Sequence, residues 1–393
     1  MNTKNKKIGI LCYYEFPEGM APTNRIRAYA KGLYLNGAHV ETFIFKPKPS
    51  NSVNPSHGVV DGMFYSFSYS RPRKESRFSY KVTSKVKALL YTIKNIRKSN
   101  RMSKFSTILL SFDNIPYLLF FVPILSILHI PMAFIGDEFP EPIRQLKNKI
   151  PYYQLWLYKF IYCFIDKRVL MTQALADYYN AISPKPYYLL SSIIDTDRFL
   201  DIDKKESEHP YLCYMGNMML AKDNVDNIIK AFSLISDKYS TLQLHLYGTP
   251  NETDKNFIVK CILDERLDGK VIFKGRASFY EVPRILSNAI ILVTSQPVTK
   301  RAEGGFPTKL AEYMLSEVPA IVTNVGEIHL YVSDKDTVFM VEPCNPKAYS
   351  ETISCILDNY DDAKRVAKRA KKLAIKMYGA REVTAGLYDF LCS

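Results

Sequence analysis

R-A-E-G-G-F-P-T-K-L-A-E-Y-M-L-S-E-V-P-A-I-V-T-N-V-G, residues 301–326, decides the fold of this chain. Gly304 and Gly305 make a loop, Pro307-Thr308 open a helix, and apolar residues at helical spacing carry it to about residue 316. P-A-I-V-T-N-V then reads as a short buried strand. The same grammar runs upstream. Strands are expected at 211–216 (Y-L-C-Y-M-G), 242–248 (L-Q-L-H-L-Y-G), 270–275 (K-V-I-F-K-G) and 290–295 (I-I-L-V-T-S). The segments between them are helical: 225–235, 253–265 and 280–288. Strand and helix in strict alternation build a parallel sheet with helices on both faces.

The first half repeats the pattern. K-I-G-I-L-C (7–12) is a strand, and a loop containing Gly19 leads to a helix that Thr23 or Asn24 caps and Asn36-Gly37 ends. A strand follows at 39–45. A second unit comprises a strand at 106–112, a helix from Asn114 to His129 and a strand at 130–135. Ile115 to Ile135 is long enough to cross a bilayer. Pro116, Pro123, Pro131 and His129 within it favour a buried crossover split at the prolines. Helix 152–166, strand 167–172 and helix 173–179 continue the alternation. The polar stretch 201–210 reads as a linker, giving domains at 1–203 and 204–379, with a final helix (380–393) after the Gly379 break crossing back onto the first. The expectation is an α/β protein of two doubly wound Rossmann-like domains facing across a cleft.

Composition narrows the class. Of 393 residues, 47% are hydrophobic and 23% charged, which excludes disordered, collagenous and coiled-coil chains. Seven scattered cysteines without a C-x-x-C pair argue against a disulfide framework or zinc ribbon and fit a reducing compartment. The apolar run near the N-terminus is too short for a secretion signal. The net charge of +14 is uneven: residues 1–200 hold 28 basic and 13 acidic side chains, and residues 201–393 hold 25 and 26.

Ligands of open α/β sheets bind in loops beyond the carboxyl ends of the strands. Those loops hold Gly216, Asn217 and Lys222; Gly248 and Thr249; Gly275 and Arg276; and Gly304, Gly305, Phe306, Pro307 and Thr308. Lys222 either meets a phosphate or is a solvated surface lysine. Free N–H groups at the start of the Thr308 helix suit an anion. Glu312, one turn in, has no packing duty and suits a sugar's hydroxyl pair, or it merely offsets the helix dipole. In the first domain, Asp137 and Glu138 follow a strand where two adjacent acids have no structural need. Arg25 and Arg27 either reach a phosphate or are solvated. No metal-ligand cluster is legible, and Asp195-Thr196-Asp197 reads as a domain-end turn.

The order and spacing of these segments resemble glycosyltransferase family 4, of the GT-B fold and bacterial surface-polysaccharide type. Gly216-Asn217-x4-Lys222 is similar to the family's G-R-x4-K segment, with Asn217 where the family has arginine. Glu312 matches the second acid of its E-x7-E segment, Gly304 stands at the first, and Glu303 is one residue out of register. G-F-P-T-K-L-x-E-Y (305–313) looks like a subgroup in which this loop's backbone holds the donor. Gly19 matches the glycine loop that faces the donor phosphates. The resemblance implies a retaining, metal-independent glycosyltransferase that uses a nucleotide-diphosphate sugar as co-substrate, with no other cofactor. The expected acceptor is a hydroxyl of a glycan, lipid-linked in surface polysaccharide biosynthesis. A different GT-B enzyme, such as a nucleotide-sugar epimerase, is an alternative. So is a non-catalytic sugar-nucleotide binder, motivated by Asn217 and Gly304.

Residues 71–104 carry twelve basic side chains and one acid, Glu75. Apolar residues at 78, 82, 86, 89, 93 and 96 have helical spacing, flanked by Lys81, Lys85, Lys87 and Lys94. The plain reading is a helix packed on its sheet with a solvated basic back. The functional one, compatible with it, is a surface for anionic lipid or a lipid-diphosphate acceptor. Nucleic acid needs the same charge but lacks any recognisable reading module. The expected location is therefore cytoplasmic, peripheral on the inner face of the membrane.

Overall fold

The structure is a computed structural model. It describes residues 5–50, 52, 54–71, 78–140, 143, 152–203 and 208–393; Glu75 lies outside them. The chain divides into two compact units, Met1–Asp195 with Gly379–Ser393, and Thr196–Tyr378. The division falls ahead of residue 203, because the turn Thr196–Phe199 belongs with the second unit.

The first unit holds β1 (Lys7–Cys12), β2 (His39–Ile44), β3 (His57–Val60), β4 (Met63–Phe67), β5 (Phe105–Ser111), β6 (Met132–Gly136), β7 (Lys167–Leu170) and β8 (Tyr187–Leu189). They form one sheet in the order β3-β4-β2-β1-β5-β6-β7-β8, parallel except for the β3–β4 hairpin. The sequence reading missed that hairpin; Asp61 and Gly62 make its tight turn, both with positive φ. β1 is buried along its length between β2 and β5, which is why it reads as a continuous apolar run.

Helix α1 (Ala21–Leu35) joins β1 to β2. It starts before the expected Thr23 or Asn24 cap: Met20 is its N-cap, and the buried Thr23 hydroxyl donates instead to the Glu15 carbonyl at 2.7 Å. Helices α2 (Phe78–Met102), α3 (Ile115–Ile127), α4 (Tyr152–Tyr162) and α5 (Gln173–Ile182) advance the opposite way along the sheet. Right-handed crossovers therefore place α2 to α5 on one face and α1 on the other. The returning helix Ala380–Cys392 packs on α1. Gly32 permits it, since a Cβ there would lie 2.3 Å from the Ala380 carbonyl oxygen. Asn36 Nδ2 donates to the Arg381 carbonyl at 2.9 Å, and Thr107 Oγ1 to that of Leu391 at 2.7 Å.

Helix α2 corrects the expected stripe. It buries Ser84, Ala88, Thr92, Ile96 and Asn100, and turns Phe78, Val82 and Val86 outward. Mostly small side chains let it lie close on the sheet, and two of its buried polar groups are partnered. Thr92 Oγ1 donates to the Ala88 carbonyl at 2.6 Å, and Asn100 Oδ1 accepts from the Phe105 N–H at 3.0 Å.

The second unit contains β9 (Tyr211–Met215), β10 (Gln243–Tyr247), β11 (Val271–Gly275), β12 (Ile291–Val293), β13 (Ala320–Thr323) and β14 (Phe339–Val341). They are all parallel, in the order β11-β10-β9-β12-β13-β14. The order reverses at β9, so a topological switch point lies there. Its helices are α6 (Leu220–Asp223), α7 (Val225–Ser233), α8 (Glu252–Asp264), α9 (Val282–Ser287), α10 (Lys300–Gly304), α11 (Thr308–Leu315), α12 (Pro346–Asp358) and α13 (Tyr360–Tyr378). Among the described residues, no helix is long and apolar enough to cross a membrane.

Candidate functional site

Gly216, Gly248 and Gly275 lie at the carboxyl ends of β9, β10 and β11. The Gly216 N–H donates to the Tyr247 carbonyl at 2.9 Å, and the Gly248 N–H to that of Gly275 at 2.8 Å. Gly248 has φ +135°, and a Cβ on it would lie 1.7 Å from the Gly216 carbonyl oxygen. Only glycine fits there, so the turns stack without side chains on them. Asn217, Thr249 and Arg276 sit exposed on the same turns.

Helix α11 is held over the switch point by Tyr313. Its buried hydroxyl accepts from the Met215 N–H at 3.0 Å and donates to the Val293 carbonyl at 3.4 Å, tying the helix to the ends of β9 and β12. The loop leading into α11 is fixed from behind. Thr299 caps α10, Gly304 ends it, Gly305 is extended, and Phe306 is buried edge-on against Tyr331 at 5.1 Å. Pro307, the N-cap of α11, gives no side-chain hydrogen bond, and no acid lies in the first turn. The Leu310 N–H is taken by the Pro307 carbonyl at 2.8 Å, while the positive end of the helix dipole points into this loop.

The sequence reading missed a cation in the first turn of α11. Lys309 Nζ is 2.8 Å from Asp223 Oδ1, lies 4.5 Å over the Tyr214 ring, and stands 2.5 Å from where a Gly216 Cβ would be. Asp223 is buried beside Lys222. Burial pushes the Asp223 carboxyl up, but the Lys309 ammonium outweighs it and holds the group below the usual carboxylate range. Lys222 occupies the last turn of one-turn α6, where its charge also acts on Asp223. A lysine one residue into a helix reads as solvated; the acid directly after Lys222 was the available signal.

Glu312 corrects another expectation, because it has a structural partner. Arg198 Nη1 donates to Glu312 Oε1 at 2.8 Å, and its Nη2 to the Phe279 carbonyl at 2.7 Å, with the guanidinium 3.7 Å over the Phe279 ring. Arg198, to which the sequence analysis gave no role, thereby joins the Arg276 loop to α11. Arg301 reaches Met219 Sδ at 3.8 Å, joining α10 to the Gly216 loop. The second unit's candidates thus gather at the carboxyl end of its strands.

In the first unit the acids and arginines prove to be partnered. Arg25 is buried, 2.9 Å from Asp137 Oδ1 and 3.3 Å from the Tyr29 hydroxyl. Asp137 therefore has the structural duty it was thought to lack, and Glu138 follows it at the end of β6. Arg27 is also buried, paired with Asp61 at 2.7 Å, so neither arginine is a solvated surface group. Tyr14 stands by this group; burial, then the Asp137 charge, push its hydroxyl up. Gly19 is packed on Thr23, where a Cβ would lie 2.2 Å from Oγ1. Lys81, Lys85, Lys87 and Lys94 are exposed along α2.

Residues 195–373 match the family model described as Glycosyl transferases group 1. No curated protein matches the chain by sequence. Sucrose-phosphate synthase from Thermosynechococcus elongatus is similar in structure over 98% of this chain and 98% of its own, with TM-score 0.74 and 14% identity. Anabaena HepE, solved with UDP and glucose, is similar over 99% of this chain and 100% of its own, with TM-score 0.71 and 12% identity. An S. aureus TarM variant, in complex with fondaparinux, α-GlcNAc-glycerol and UDP, covers 99% and 100% with TM-score 0.69 and 12% identity. The chain thus has the two-unit α/β fold of GT-B glycosyltransferases, and its segment 195–373, which carries every second-unit candidate above, matches glycosyl transferases group 1.

Proposed function

We propose that this chain is a retaining glycosyltransferase that moves a sugar from a nucleotide-diphosphate donor to a hydroxyl of a glycan acceptor. The observation that carries the reading is the Lys309 ammonium beside Gly216, at the uncapped start of α11. Departure of a nucleoside diphosphate builds negative charge on its phosphate oxygens, and preorganised N–H groups and a fixed cation stabilise that charge. Lys309 and Lys222 would supply what Asn217 does not, so the reading calls for no metal ion. The Gly216, Gly248 and Gly275 turns let a nucleotide approach the backbone, with Thr249 and Arg276 at its margin. Arg198 would orient Glu312 so that Oε2 receives a donor hydroxyl. Gly304, Gly305, Phe306, Pro307 and Thr308 would shape the loop around the donor. In the first unit, Glu138 is the candidate group for acceptor or sugar, with Asp137 held in place by Arg25, and the resemblance assigns Gly19 to the donor phosphates.

HepE and TarM were solved with UDP, which supports a nucleotide-sugar donor here. Retention of configuration, a lipid-linked acceptor and surface polysaccharide synthesis at the inner membrane face follow from the family 4 resemblance and the basic α2. A panel of nucleotide sugars screened by thermal shift identifies the donor, since a ligand of the native state raises its stability. Transfer is then measured with EDTA present. Lys222→Ala and Glu312→Ala should abolish transfer with cooperative unfolding intact; wild-type rates in both would sink the assignment. A free epimerised nucleotide sugar would indicate an epimerase. Tight binding with no transfer would favour the non-catalytic reading that Asn217 and Gly304 motivate.

A further inference from the structure

The face of the first unit covered by α2 to α5 turns large apolar side chains outward in rows. On α2, Phe78, Val82, Val86 and Leu90 recur every fourth residue; Phe78 is 82% exposed and Leu90 58%. On α4, Trp156 stacks on Phe160 at 5.6 Å and Phe160 meets Phe164 edge-on at 5.1 Å, yet Trp156 remains 58% exposed and Phe160 47%. Helix α3, which packs on α4, exposes Leu119 and Ile127. Single exposed apolar residues are ordinary, but rows on successive crossover helices mark a contact surface.

The charge on these helices selects the occupant. No Asp or Glu occurs in α2, α3 or α4, while Lys81, Lys85, Lys87 and Lys94 are exposed on α2 beside its apolar row. A second copy would set like-charged helices against each other. An anionic bilayer meets both features, because lysines pair with lipid phosphates while apolar and indole side chains enter at headgroup depth.

We propose that α2 and α4 form a docking face for an anionic bilayer, with Phe78–Leu90 and the Trp156–Phe160–Phe164 ladder as its inserted elements. This deepens the membrane location in the proposed function and rests on that reading only for its purpose, since docking needs neither donor nor transfer.

Trp156 is the sole tryptophan, so its emission reports on the face directly. The full chain is mixed with phosphatidylcholine vesicles, with or without phosphatidylglycerol, some carrying brominated acyl chains. Phosphatidylglycerol vesicles should shift the emission to the blue, and brominated chains should quench it. Val82→Ser, Val86→Ser and Leu90→Ser together should lower partitioning about tenfold or more. Glutamine at Lys81, Lys85, Lys87 and Lys94 should lower it on the order of a thousandfold. Both variants change exposed residues, and each should keep the wild-type melting response to whichever nucleotide sugar binds, which separates docking from donor recognition. Unquenched Trp156 with anionic vesicles would overturn the proposal. So would wild-type partitioning of the three-serine variant, or a blue shift that grows with protein concentration without lipid, the sign of a second copy.

Discussion

Lys309→Met removes the cation from the α11 terminus and leaves Asp223 buried without its main partner. At 2.8 Å the pair has about 6 kcal/mol of gross attraction at an effective dielectric of 20. Most of that offsets desolvation, yet breaking a buried pair from one side costs about 3–5 kcal/mol because the remaining charge is uncompensated. Asp223→Asn alone strands Lys309 less severely, since its ammonium is partly exposed and also faces the Tyr214 ring. The double variant should therefore recover most of the stability lost by Lys309→Met, by roughly 2 kcal/mol or more. Ligand affinity should not recover with it. If the ammonium meets a diphosphate, its loss costs about 2 kcal/mol of binding, near thirtyfold in Kd. The assay is urea unfolding of the four proteins, with calorimetric binding of UDP and GDP against their nucleosides. The expected pattern is restored stability in the double variant with diphosphate affinity still low and nucleoside affinity unchanged. Unchanged diphosphate affinity in Lys309→Met would refute the assigned role, and additive losses of stability would refute the coupling.

Other outcomes follow from the same geometry. Gly248→Ala must move off φ +135° or displace Gly216, costing at least about 3 kcal/mol, so its melting temperature should fall sharply. Burial first, then the charges of Lys274 and His209, lower the His245 pKa from 6.5 to about 4. The unfolded chain binds the proton more readily, so stability should fall as pH drops from about 6.5 to about 4, by up to about 3 kcal/mol, and His245→Gln should flatten that fall in pH-dependent unfolding. Arg198→Ala and Glu312→Ala share one interaction and should be markedly non-additive in thermal stability; independent effects would separate Arg198 from the donor residue. Gly32→Leu should expel the helix Ala380–Cys392 and make it the first point of limited proteolysis, with no change if the helix docks elsewhere.

The alternation of strand and helix was legible because buried parallel strands are continuous apolar runs and turns carry glycine. Gly216, Gly248 and Gly275 were legible for the same reason. Partnership was not. Asp137 and Glu312 looked unemployed because their arginines, Arg25 and Arg198, are 112 and 114 residues away in sequence. Lys309 was hidden by ordinary helix composition, although it stood inside the most informative segment. On α2 the apolar periodicity was real but pointed the wrong way. Periodicity identifies a stripe without saying which side of the helix the sheet will take, and here close approach favoured Ser84, Ala88 and Thr92. The β3–β4 hairpin has short strands with mixed burial, which leave a weak pattern.

The Ile194–Gly379 bridge, with the Ala380 N–H donating to the Ile194 carbonyl at 2.9 Å, brings both ends of the second unit's sequence to one place. In chain order that unit is an insertion within the first. Synthesis must therefore run through residue 392 before the first unit can cover α1, Thr107 and Lys167 with the returning helix. The second unit has its own sheet and core, and can complete folding while the first still waits. A truncation near residue 379 would damage the part of the protein farthest from it in sequence. Excising residues 196–378 and closing the gap between the bridged residues would test whether the first unit stands alone.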